Sequence, residues 1–118
     1  MKKVLFCLIS IFLYSCATTS NYEKILSSWV GGDINDLIMS WGVPSYEYKM
    51  PSENKMYIWL WMGKTLVSPK SYEATIKKLA AEGGDMGVKW CKTSFSADKN
   101  NRILHFRFEG SYCKAHKP

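Results

Sequence analysis

The hydrophobic pattern divides the chain into a short apolar leader, two amphipathic helices and a set of strands. Val4 to Leu13 is an unbroken apolar run preceded by Lys2 and Lys3. About ten residues of helix cross only half of a ~30 Å hydrocarbon core, so the run has the length and flanks of a secretory signal instead of a span. Ser20 and Glu23 stand at capping-box spacing. Tyr22, Ile25, Leu26 and Trp29 then fall on one helical face, which Gly31-Gly32 terminates. Asp33 is placed to cap a second helix, and Ile34, Leu37, Ile38 and Trp41 repeat the same spacing up to Gly42 and Pro44. Helices this short do not persist alone, so both faces need a sheet to cover them.

The period then changes from helical to strand-like. Tyr46 and Tyr48 alternate around Glu47, and Pro51 to Asn54 makes a turn. Met56 to Met62 is a strand apolar on both faces, with Tyr57, Trp59 and Trp61 on one of them. Such a strand is either a central core strand or one that exposes an aromatic face to a partner. Pro69 opens a third helix with Tyr72, Ile76, Leu79 and Ala80 on one face and Gly83-Gly84 at its end; that face is expected to cover the second side of the strand. Asp85 to Val88 reads as loop. The chain closes in a hairpin: Cys91, Thr93 and Phe95 share one face, Asp98 to Asn101 is the turn, and Leu104, Phe106 and Phe108 form the apolar face of the last strand, with His105 and Arg107 on the other. Pairing Ala97 with Arg102 puts Cys91 opposite Phe108. The expected fold is α+β: two short N-terminal helices packed on an antiparallel sheet of three to four strands, with an inserted helix or loop between the second and third strands.

Composition narrows this picture. Without residues 1–15 the chain is one small domain, for which 14% aromatic content supplies large buried surfaces. The formal charge of +6 falls to +4 when Lys2 and Lys3 leave with the signal, and the remaining cations are scattered. Nucleic acid would call for a basic stripe, so it is not an expected partner.

Leu13-Tyr14-Ser15-Cys16 resembles the lipobox of bacterial lipoproteins. The resemblance implies cleavage before Cys16 and a diacylglycerol on its thiol. Residues 16–21 then read as a tether, 22–113 as the single domain and 114–118 as a polar, mobile tail. Ala17 after the cysteine implies, in that family, export to the outer membrane. The residues also fit an ordinary cleaved signal with Cys16 a spare thiol, or a cytosolic protein with an apolar N-terminal segment. Cys7 would be lost with the leader, which leaves Cys91 and Cys113 as a pair in an oxidising compartment, expected to form a disulfide. No metal is expected, because His105 and His116 form no compact ligand cluster with the cysteines.

Gly32 to Pro44, followed by the strand with Tyr57 and Trp59, resembles small bacterial lipoproteins of the SmpA/OmlA (BamE-like) group. The series Cys91, Phe95, Asp98, Ile103, Gly110, Cys113 is similar to a cysteine-bearing subset of them. The resemblance implies two helices on an antiparallel sheet and a non-enzymatic part in outer-membrane assembly or envelope integrity. The 64–90 insertion and the cysteine pair depart from the assembly-factor members.

Candidate chemistry is sparse. His105 lies mid-strand, Glu47, Glu53 and Glu109 are spaced as surface carboxylates, and no Gly-Lys-Ser/Thr follows either Gly-Gly pair. No catalytic residue and no cofactor are expected. The expected function is a lipid-anchored envelope module facing the periplasm, held to the membrane through Cys16 and binding an envelope protein. The alternative is an anchored binder or inhibitor of a hydrolase or glycan, acting through exposed aromatics, with Tyr57, Trp59 and Trp61 as the candidate surface.

Overall fold

The computed structural model describes residues 21–82 and 89–113. The leader and most of the tether with Cys16, the Ser20 cap, Gly83-Gly84, the 85–88 loop and the 114–118 tail lie outside the described residues. Helices α1 (21–29), α2 (Ile34–Trp41) and α3 (Pro69–Ala81) accompany strands β1 (Tyr46–Lys49), β2 (Lys55–Met62), β3 (Thr65–Leu66), β4 (Trp90–Ala97) and β5 (Ile103–Glu109). The sheet is antiparallel in the order β1-β2-β4-β5, with β3 also pairing β2. The fold is therefore α+β as expected, with α3 as the inserted helix.

The two helical faces of the N-terminal pair make the larger core. Tyr22 and Leu26 of α1 and Ile34 and Leu37 of α2 pack with Tyr57, Trp59, Cys91, Phe95 and Ile103. Ile25, which shares the expected face, is 37% exposed, because the sheet meets α1 on the narrower stripe through Tyr22 and Leu26. Asp33 caps α2 by accepting from the Asn35 N–H at 2.8 Å. Gly42 ends it at φ 95°, a backbone that L side chains rarely adopt, and its carbonyl accepts from Trp59 Nε1 at 3.0 Å. That bond fixes the end of α2 against the centre of β2.

The opposite side of β2 packs on α3. Ile58 and Leu60 meet Val67, Tyr72 and Leu79, with Met56, Met62 and Ile76 at the margin. Ala80 is exposed and takes no part, so the contact stripe of α3 runs through Tyr72, Ile76 and Leu79 alone. A strand apolar on both faces is thus covered on both.

One edge of β2 is shared by two strands. β1 pairs with Lys55 to Ile58, and β3 pairs with Trp61 and Met62. Between them the buried Ser45 hydroxyl accepts the Leu60 N–H at 2.9 Å, and the Leu60 carbonyl accepts the Val67 N–H at 2.8 Å. The gap in the ladder is closed by a side chain and a loop amide.

The hairpin register differs from expectation. Asp98 pairs with Arg102, its N–H donating to the Arg102 carbonyl at 2.9 Å, while its carboxylate accepts from the Asn100 and Arg102 N–H groups. Asn101 takes the positive φ of 67°. The ladder therefore starts one residue later than an Ala97–Arg102 pair would place it, and an irregularity at Ser96/Ala97 shifts it again. Ala97 stands opposite Ile103, Thr93 opposite Phe108, and Leu104 has no direct partner. Bulging at this point turns Ile103 into the core, where it is 1% exposed, in place of Leu104.

The turn between α1 and α2 is sewn to the start of β5. Gly31 N–H donates to the Ile103 carbonyl at 2.8 Å, and Ile103 N–H donates to the Gly32 carbonyl at 2.9 Å. Cys91 and Cys113 form a disulfide, tying the segment after Gly110 back to β4.

Candidate functional site

The residues singled out as an aromatic surface are core. Tyr57 is 6% and Trp59 0% exposed, and Trp61 is half-buried against the same cluster. The ring of Trp41 meets Trp59 edge-on at 5.6 Å, and Phe95 meets it likewise at 6.0 Å. The physical reason is the helix pair: its apolar stripes need a partner, and this face of β2 is the one they bury. The core-strand alternative is the one realised.

Exposed chemistry gathers on the other face of the sheet. Antiparallel partners project to the same side, so register alone assembles the rows. Tyr48 stands beside Met56, Met56 beside Ser96, and Ser96 beside His105. Tyr46, Ile58, Ser94 and Arg107 form the next row, and Leu60, Lys92 and Glu109 the third. Helix α3 covers the β2 side of this face through Tyr72, whose ring stacks on Tyr46 at 4.9 Å and 11°. Trp90 of β4 packs against the same α3–β2 cluster and Ser96 is buried, whereas His105, Arg107 and Glu109 of β5 are exposed.

This face carries a cleft of about 160 Å³. Tyr48, 42% exposed, Met56, Ser94, Lys92, Arg107 and Glu109 contribute to its lining. Lys92 Nζ lies 3.6 Å from Glu109 Oε1, a loose pair with the glutamate side largely in water. Arg107 is exposed and makes no ion pair among the described residues. Burial raises the Tyr72 hydroxyl above its ordinary value, and the neighbouring Tyr46, Tyr48 and Glu109 add to the shift, so it stays a neutral phenol across the physiological range.

The arrangement is suited to holding a polar ligand. Ser96 and His105 are cross-strand neighbours, but their side chains share no hydrogen bond. Among the described residues no three His, Cys, Asp or Glu side chains stand close enough to hold a metal ion. No described helix is long and apolar enough to cross a membrane.

Sequence reasoning located Cys91 and Cys113 and put His105 and Arg107 on one polar face, but it did not single out Tyr48, Lys92, Ser94 or Arg107. The available signal was the polar alternation of β4 and β5, read together with the tyrosines of β1. It became a site only when the strand order put those three faces side by side. No family model, curated protein or solved structure matches the chain.

Proposed function

We propose that this chain is a lipid-anchored envelope protein, non-enzymatic, that works as an interaction module on the periplasmic side of a bacterial outer membrane. The observation that carries the reading is the disulfide between Cys91 and Cys113 inside the folded domain, since such bonds form and persist in oxidising compartments. It agrees with a leader that reads as a signal and with a lipobox-like cysteine at position 16, five residues before α1 begins. The resemblance of Gly32 to Pro44 to the SmpA/OmlA group points the same way. Anchored at Cys16, the domain would lie within about 20 Å of the bilayer, at roughly 3.5 Å per extended residue.

A second reading is favoured by the exposed residues of this sheet face. An anchored binder of a glycan or hydrolase needs exposed aromatics beside polar groups, and Tyr46 and Tyr48 supply these where Tyr57, Trp59 and Trp61 do not. Mass spectrometry on the full chain, made in a two-membrane bacterium and fractionated, tests the anchor. A mature chain starting at an acylated Cys16 in the outer-membrane fraction is expected. A chain lacking acyl mass, or one retaining Met1 in the cytosol, refutes it.

A further inference from the structure

We infer that the cleft between β1 and β5 binds a carboxylate-bearing pyranose, a sugar ring with an acidic substituent. The proposal deepens the binder reading and does not depend on the anchor.

Three features point to this ligand. The first is charge. Lys92 and Arg107 stand against Glu109 in the cleft, leaving one net positive charge among its lining residues, and Arg107 makes no ion pair among the described residues. Such a guanidinium matches a monoanionic carboxylate, to which it can donate two parallel hydrogen bonds. A dianionic phosphate would leave charge uncompensated beside Glu109.

The second is the apolar wall. Tyr48 is 42% exposed, has the Tyr46 ring centre 6.0 Å from its own, and shares the cleft lining with Met56 and Ile58. A half-exposed phenol in an apolar lining provides a surface for the C–H face of a sugar ring while leaving its hydroxyls free. The third is the spread of hydrogen-bonding groups. The Ser94 hydroxyl and the Glu109 carboxylate can accept from ring hydroxyls, and Lys92 can donate. A volume of about 160 Å³ is on the scale of one ring and its substituent.

An acidic peptide would use Arg107 and Lys92 but has no need of the Tyr48 wall, which makes the peptide the competing outcome. Titration of the full-length, isotope-labelled chain followed by NMR decides between them. The probes are N-acetylmuramic acid, glucuronic acid, N-acetylglucosamine and a diglutamate peptide. At least one acidic sugar is expected to bind one-to-one and move the amide signals of Tyr48, Ser94 and Arg107. Which of the two binds more tightly tells whether the carboxylate sits on an ether arm or on the ring. N-acetylglucosamine should bind about tenfold more weakly or worse, as should either acidic sugar to Arg107→Ala, the loss expected of one charged hydrogen-bond pair. Tyr48→Ala should weaken binding several-fold, roughly the scale of one ring contact, while Ser52→Ala leaves it unchanged. Because Arg107 is exposed and makes no ion pair among the described residues, its removal should not unfold the domain, and a retained amide spectrum checks this. Equal binding of the neutral sugar, tighter binding of the peptide, no binding of either acidic sugar, or an unaffected Arg107→Ala overturns the proposal. None of these outcomes touches acylation at Cys16, and an unacylated chain would leave the binding result intact.

Discussion

Replacing Ser45 with alanine should destabilise the domain out of proportion to the single oxygen removed. Ser45 is fully buried, and its Oγ accepts the Leu60 N–H at 2.9 Å. That amide sits in the gap where neither β1 nor β3 reaches β2, and Leu60 is itself fully buried, so water cannot take over. Alanine leaves the donor without a partner. A buried unsatisfied polar group costs about 1–3 kcal/mol, against an ordinary net hydrogen bond of about 1 kcal/mol. In a domain of this size each kcal/mol corresponds to roughly 4–8 °C in Tm. Urea denaturation of Ser45→Ala beside Ser52→Ala, a turn serine exposed to solvent, measures the difference. Hydrogen exchange adds a local readout, since the Leu60 amide should lose protection in the first variant and keep it in the second. A loss within about 0.5 kcal/mol, the range of ordinary surface substitutions, together with a still-protected Leu60 amide, would refute the role given to this hydroxyl.

Gly110→Ala should be severe, because φ is 131° there and an added Cβ would collide with the Trp90 carbonyl oxygen; strain of about 1–3 kcal/mol precedes any clash. Thermal melting would detect it, and a wild-type Tm would contradict the backbone geometry. Cys113→Ser opens the closure between Cys91 and Cys113, a separation of 22 residues, and should cost roughly 2–4 kcal/mol in denaturant titration. Stability should also fall in alkali. Burial raises the Tyr22 hydroxyl above its ordinary value of 10.0, with the Thr93 hydrogen bond opposing, and burial likewise raises Tyr57 and Tyr72. A folded-state value above the unfolded one means the contribution is complete below pH about 10 and is lost as pH rises through the folded values. Denaturation midpoints between neutral pH and pH 11 should therefore decline, and less steeply in Tyr22→Phe; equal slopes would contradict the assignment.

The elements themselves were legible because their signals are local. Spacing of apolar residues at 3.6 and 2 gave both N-terminal helices, α3 and the long strands, and Asp33, Gly42 and Pro69 marked their ends through backbone chemistry confined to one turn. Cysteine counting gave the Cys91–Cys113 pair without any geometry. The two-residue β3 carried no period and went unseen, as did the role of Ser45, a polar residue before a strand like many others.

What the chain alone determined was which residues are apolar together along each element. Which of those faces is shared, and therefore hidden, only the tertiary structure decided. Tyr57 and Trp59 fit a core strand or an exposed aromatic face equally until α1 and α2 fold onto them, and the cleft exists only because register sets Ser94 beside Arg107 in the row next to that of Tyr48. A one-residue bulge between Ser96 and Ala97 exchanged Ile103 for Leu104 in the core. Such outcomes depend on contacts between residues far apart in sequence, and periodicity within an element does not encode its partner.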